Sequence, residues 1–327
     1  MFGASGSGNI RQFGQEHVDK MATWLITHPA FLQHDTGYDH PECANRLRAI
    51  LAALDTPAFA ELVRCEAEAA TLEEIGRVHE RRYIEQILMM IPASGWRSLD
   101  PDTMISPASG EAALRAVGAV RQAVDAVMSG AARRVFCAVR PPGHHSEPAR
   151  AMGFCLFNNV AVGALQARCR YAARNIAVVD FDVHHGNGTQ TMLAGREGFL
   201  YTSTHQQPLF PNTGRREENR PGVLYNIPLP PGAGSAAFRK HFRSEIIAAL
   251  ADFRPDLILV SAGFDAHESD PLAELALTDD DYQWATEELV AVAEACCQGR
   301  IVSTLEGGYN LQALARSVAR HVAALML

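Results

Sequence analysis

Four segments share one pattern, and it limits the possible folds more than any other feature of the chain. Each is a short apolar run, rich in Val, Ile, Leu or Cys, that ends in glycine and polar chemistry. They are "RVFCAVRPPGHH" (134–145), "NIAVVDFDVHHGNG" (175–188), "DLILVSAGFDAH" (256–267) and "RIVSTLEGGYN" (300–310). Helix-like stretches over 157–170, 236–253 and 278–298 separate them. Continuous apolar strands alternating with helices form parallel sheets covered on both faces. The chain is therefore expected to be an α/β protein, three layers deep, with a mainly parallel central sheet. Ligands of such sheets bind at the carboxyl ends of the strands, where all four runs place their reactive side chains.

The remaining pattern is consistent with this. "ATWLITH" (22–28) reads as a first strand. Residues 43–54 are amphipathic through Leu47, Ile50, Leu51 and Leu54, and 79–91 through Tyr83, Ile84, Ile87, Leu88 and Ile91. A long Ala-rich helix is expected over 108–129, capped by Ser109, favoured by Glu111 near its positive end and stopped by Gly130. No repeat or linker interrupts 21–327, which reads as one domain; residues 1–20, with "GASGSG" and no periodicity, read as a flexible extension.

With 47 % hydrophobic and 20 % charged residues the chain is globular in composition. A net charge of −8 argues against a nucleic-acid partner but leaves room for a cationic substrate at an acidic rim. The seven cysteines include no CxxC spacing, which points to reduced thiols and a cytoplasmic protein. No apolar run approaches the ~20 residues that span a bilayer, so no membrane is expected. A homo-oligomer is left open.

In "DFDVHH", alternation along an extended chain would put Asp180, Asp182 and His184 on one face, with His185 pointing elsewhere. Asp265 ends another strand. Asp182, His184 and Asp265 then make a three-donor set that neutralises a divalent ion and leaves a coordination position open, as catalytic zinc sites do. With the metal so supplied, His144 and His145 on their Pro-Pro-Gly turn are candidates for acid/base work. Asp180 can accept a proton from one imidazole and Asn187 from the other. The carboxylate would favour a protonated ring, and the amide a neutral one. Tyr309, behind two glycines, can donate to developing negative charge.

These residues carry a resemblance. From about residue 25 onward the sequence is similar to the histone deacetylase family, within the arginase/deacetylase fold. The matching stretches are "HDTGYDHPE" (34–42), "RPPGHH" (140–145), "GFCLFNNVA" (153–161), "DFDVHHGNG" (180–188), "FPNTG" (210–214), "SAGFDAHESDPL" (261–272) and "LEGGYN" (305–310). Asn187, where class I members usually carry Asp, resembles class II and bacterial amidohydrolase-like members. The resemblance implies one Zn²⁺ on Asp182, His184 and Asp265, and amide hydrolysis that releases acetate from acylated lysine. It implies His145 as general base and then acid, His144 held by Asp180 as an electrostatic aid, and Tyr309 as donor to the oxyanion. Gly153, Phe154 and Phe210 match the acyl-lysine tunnel, with Gly307 and Leu272 also in the substrate-binding set.

A structural K⁺ is implied at Asp180, Asp182 and His184, through backbone oxygens, with Ser203 and Thr204; a second is implied near Leu193, Arg196 and Phe199. The rim carboxylate falls in "SLDPDT", where Asp100 is assigned and Asp102 competes. Leu272 stands where polyamine-selective relatives carry an acidic residue, which leans away from acetylpolyamines. The alternatives are an acetylpolyamine or small xenobiotic amide hydrolase on the same fold, a two-manganese ureohydrolase, or an inactive acyl-lysine reader. "SAGFDAH" offers too few carboxylates for the ureohydrolase, and the reader would be expected to lack one of the residues above.

Overall fold

The computed structural model describes residues 22–327; the reading of 1–20 as an extension falls outside them. Eight strands form the central sheet: β1 (Trp24–Thr27), β2 (Val63–Glu66), β3 (Arg134–Cys137), β4 (Ile176–Asp180), β5 (Phe199–Gln206), β6 (Leu224–Leu229), β7 (Leu257–Ala262) and β8 (Ile301–Leu305). Their order is β2-β1-β3-β8-β7-β4-β5-β6, and every pairing is parallel. The four runs that end in chemistry are thus adjacent, as β3-β8-β7-β4 in the middle of the sheet.

These strands are mainly apolar and buried along their whole length because both faces are covered. Neighbouring residues of β3 show it. The Phe136 ring meets His321 of the helix Leu311–Leu325 at 5.6 Å, while the Cys137 thiol points to the Ala119 carbonyl of the helix Ser109–Ser129. Side chains alternate across a strand, so those helices lie on opposite faces. Ser109–Ser129 packs with Asn159–Tyr171 in one layer; Leu311–Leu325 packs with Ala44–Leu54 and Asp279–Cys297 in the other. The helix of 43–54 and that of 79–91 are present as Ala44–Leu54 and Arg81–Met90.

Three expectations need correction. Ser109 does not cap its helix: Ala108 holds the cap position, and the Ser109 hydroxyl accepts from the Ser106 amide at 2.8 Å and meets His34 Nδ1 at 2.7 Å. The C-terminal stop is as expected, with Gly130 left-handed at φ 82°. The run 236–253 is not one regular helix, since Phe242–Ile247 forms π turns between Ser235–His241 and Ala248–Phe253. Finally, β4 ends at Asp180, and Asp182 and His184 lie in the turn beyond it.

Candidate active site and metal centre

Asp182, His184 and Asp265 converge after β4 and β7, with donor atoms within 4.8 Å of one another. A tight turn does this, not strand alternation. Asp182 Oδ1 accepts from its own His184 amide at 2.9 Å, and the Val183 amide bonds Asp265 Oδ1 at 2.9 Å. The same Asp182 oxygen and the second oxygen of Asp265 face the His184 ring, whose Nδ1 is 3.1 Å from both Asp182 Oδ1 and Asp265 Oδ2. Burial and the Asp182 charge raise the Asp265 carboxyl to about 7. Two buried carboxylates and an imidazole are a donor set that fits a divalent cation, with charge balance and an open position.

Glycines make the convergence sterically possible. A Cβ on Gly307 would stand 1.9 Å from Asp265 Oδ2, and one on Gly263 would stand 2.0 Å from Asp182 Oδ2. The Gly307 amide also bonds Asp182 Oδ2 at 2.7 Å.

The two histidines lie side by side next to this cluster, ring centroids 4.0 Å apart and tilted by 43°, with different partners. His144 Nδ1 lies 3.0 Å from Asp180 Oδ2, which also accepts from the Tyr201 hydroxyl at 3.0 Å. His145 Nδ1 lies 2.9 Å from Asn187 Oδ1. Glu147 fixes that amide's orientation by accepting from Asn187 Nδ2 at 2.9 Å. Since Asn187 Oδ1 only accepts, His145 carries its proton on Nδ1 and leaves Nε2 free. Burial alone would lower the His144 imidazole, but the charges of Asp180, Asp182 and Glu306 outweigh it and raise it to about 10. Burial and the neighbouring His144 charge push His145 well below its ordinary value.

A cavity of about 230 Å³ leads down to these groups, lined by Gly153, Phe154, Phe210, Leu272, Gly307 and Tyr309 among others. Phe210 packs edge-on to His145 at 5.1 Å and Phe154 to Tyr309 at 5.9 Å, so the aromatics wall a narrow passage. Burial pushes the Tyr309 phenol well above its usual value, against the pull of Arg46. It therefore stays a proton donor near neutral pH.

At the rim, the two candidate carboxylates Asp100 and Asp102 are placed differently. Asp100 Oδ1 accepts from the Asp102 and Thr103 amides at 3.1 and 2.6 Å, which is the work of a turn-forming aspartate. Asp102, the competitor, lines the cavity instead.

For the monovalent-ion residues, Asp180 pairs in register with Ser203 across β4 and β5, next to Thr204, whose buried hydroxyl has no hydrogen-bond partner. Near the second group, the Leu193 and Arg196 carbonyls accept from the Arg196 and Phe199 amides at 3.1 and 3.3 Å.

Sequence reasoning missed a buried network beneath Tyr309. Arg46 Nε donates to the Gly308 carbonyl at 2.6 Å and NH2 to the Glu306 carbonyl at 2.5 Å. Its guanidinium lies 4.9 Å from the Tyr309 ring centroid. Glu42 accepts from Arg46 at 3.0 Å and from Arg140 at 2.5 and 2.7 Å, and these two cations hold its carboxyl below the usual range despite burial. Asp270 completes the set by accepting the Tyr309 amide at 2.7 Å. One signal was available: Arg46 adjoins the buried Leu47 on the helix stripe, a costly place for an unpaired cation.

Residues 40–325 match the family model described as the histone deacetylase domain. The chain belongs to the histone deacetylase family. It is 39 % identical to the histone deacetylase-like amidohydrolase of Pseudomonas aeruginosa, over 83 % of this chain and 72 % of that protein. It is 38 % identical to the chloroplastic histone deacetylase 14 of Arabidopsis thaliana, over 88 % of this chain and 73 % of the relative. The solved HDA15 HD domain superposes with a TM-score of 0.86 at 31 % identity, covering 94 % of this chain and 90 % of that one. The arginase/deacetylase fold follows for this chain. It is a hydrolase of the family, and no helix among the described residues is long and apolar enough to cross a membrane.

Proposed function

We propose that the chain is a zinc-dependent amidohydrolase that cleaves acylated lysine side chains, or closely similar amine-type amides, and releases acetate. The observation that carries this reading is the unlike pair of buried histidines, one on a carboxylate and one on an amide, beside a three-donor metal cluster at the base of an aromatic-walled passage.

Zinc on Asp182, His184 and Asp265 would supply Lewis-acid polarisation of the amide carbonyl and of water. The protein's own groups then divide the proton work. His145 accepts the proton of the attacking water at its free Nε2, and returns it to the leaving amine. His144 stays protonated on Asp180 and stabilises negative charge without serving as base. Tyr309 donates its hydroxyl proton to the hydrogen bond that the carbonyl oxygen needs as it becomes anionic. Phe154 and Phe210 exclude water from the aliphatic stem of the substrate. Gly153 and Gly307 leave room for it, and Asp102 offers an acceptor to the substrate backbone at the mouth. Leu272, apolar and 36 % exposed at that mouth, gives no charge to a polyamine ammonium.

A structural K⁺ at Asp180, Asp182, His184, Ser203 and Thr204 is supported by the Asp180–Ser203 register and the unpartnered Thr204 hydroxyl. The seven free cysteines support a cytoplasmic setting.

Hydrolysis rates across acetyl-lysine, trifluoroacetyl-lysine, long-acyl-lysine and acetylpolyamine substrates, each with zinc content measured, test the reading. Acyl-lysine turnover that disappears with chelation and returns with zinc is expected. Acetylpolyamine turnover well above all acyl-lysine rates would refute the substrate class.

A further inference from the structure

Glu306 is fully buried immediately after β8, and apart from its share in the charge that keeps His144 protonated the mechanism above gives its side chain no role. Its Oε2 accepts from the Gly143 amide at 2.7 Å and the His144 amide at 3.2 Å, while Oε1 accepts from the Ser261 hydroxyl at 3.0 Å. We infer that Glu306 is a positioning residue for the two histidines, its carboxylate gripping the backbone of the turn that carries them. This rests on the acid/base roles given to His144 and His145 above.

The grip is stiff at both ends. The Glu306 amide donates to the Ala262 carbonyl at 2.9 Å, and its own carbonyl is held by Arg46. On its far side the turn has no room to retreat, because a Cβ on Gly143 would stand 2.6 Å from the Asn159 amide nitrogen. The turn is wedged between Glu306 and the start of the helix Asn159–Tyr171. Both rings inherit that placement: His144 meets Asp180 at 3.0 Å and His145 meets Asn187 at 2.9 Å. Misplacing such groups by about 1 Å can cost ~10²-fold in rate. Burying a carboxylate costs several kcal/mol unless it is well paired. Here that cost is met where three donors converge, two of them belonging to the histidine turn.

Reach and charge are separable by substitution. Glu306→Gln keeps the length and an acceptor oxygen for the two amides. Glu306→Asp keeps the charge but withdraws it by one methylene, and Glu306→Ala removes both. With acetyl-lysine substrate, kcat is expected to fall about 10- to 100-fold in the Asp and Ala variants with KM nearly unchanged. The Gln variant should recover most of the rate, and zinc content should be equal in all four proteins. Imidazole ¹⁵N–¹H spectra provide a readout independent of turnover: the His144 Nδ1–H signal should move in the Asp and Ala variants and stay near the wild type in Gln. Equal kcat in all folded variants, or loss in Gln equal to that in Asp, would overturn the inference. Were the wild type itself inactive on acyl-lysine, the proposed function would fail, and the ¹⁵N–¹H spectra alone would decide the role of Glu306. Should the Ala protein not fold, the Asp and Gln pair decides it.

Discussion

Replacing Tyr309 by Phe removes one oxygen and leaves its surroundings in place. The ring is held by the Arg46 guanidinium 4.9 Å from its centroid, by the edge of Phe154 at 5.9 Å, and by its own amide bonded to Asp270 at 2.7 Å. None of these contacts uses the hydroxyl. Stability should therefore change by no more than about 0.5 kcal/mol, the range of substitutions that break no named interaction. Turnover should change far more. Deleting one hydrogen-bond donor to a developing oxyanion costs roughly 10²–10³ in kcat, about 2.7–4 kcal/mol. The loss should also depend on the substrate. A trifluoroacetyl carbonyl already favours the tetrahedral adduct and relies less on the phenol, so Tyr309→Phe should impair acetyl-lysine hydrolysis much more than trifluoroacetyl-lysine hydrolysis. Initial rates on both substrates, with thermal melts and zinc content as controls, provide the comparison. An equal loss on both would mean that the tyrosine orients the ground state, and no loss would mean that it only packs.

Three other outcomes follow from the geometry. Asn187→Asp places a carboxylate on His145, whose imidazole now sits well below its ordinary value; a base works only when neutral, so the acid limb of the kcat/KM profile should move to higher pH, and an unmoved limb would remove His145 as the base. Gly307→Ala would put a Cβ 1.9 Å from Asp265 Oδ2, so the purified variant should hold much less zinc than wild type by elemental analysis; full zinc content would show that the cluster tolerates displacement. Asp102→Asn should raise KM for peptide substrates more than it lowers kcat, while Asp100→Asn should leave KM alone and lower the melting temperature modestly; the reverse pattern in steady-state kinetics would restore Asp100 as the rim residue.

The central strands and their chemistry were legible because each was a doubly buried apolar run with its polar residues at one end. Of the other four, β1 was read from "ATWLITH", and three were harder to read for separate reasons. β5 reads "FLYTSTHQ" yet is wholly buried, the Tyr201 and Ser203 hydroxyls bonded within the site's surroundings and that of Thr204 left without a partner. β6 carries Pro228 and lies at an edge, where proline is tolerated, and β2 is a mostly exposed edge strand. Near the site, Asp182 and His184 were correctly grouped for a mistaken reason, since a turn and not alternation joins them. Asp100 and Asp102 could not be told apart because the difference lies in which carboxylate turns inward to backbone amides. Arg46 and Glu306 act across 260 residues of sequence, and local periodicity says nothing about pairs so distant.

The strand order has a further consequence for how the molecule comes into being. β8 comes last in chain order among the eight strands of the sheet, yet it sits between β3 and β7, with Ile301 in register with both Arg134 and Ile258. A ribosome-bound chain ending short of residue 300 can hold β3 with β1 and β2, and β7 with β4, β5 and β6, but no strand pairing joins the two halves of the sheet. Insertion of β8 closes that gap. The same step delivers the Gly307 amide to Asp182, the Glu306 carboxylate to the histidine turn and Tyr309 to the cavity. Until β8 docks, the site lacks its Gly307 amide, its Glu306 carboxylate and its Tyr309 phenol, so the completed sheet and the completed site arise in one step.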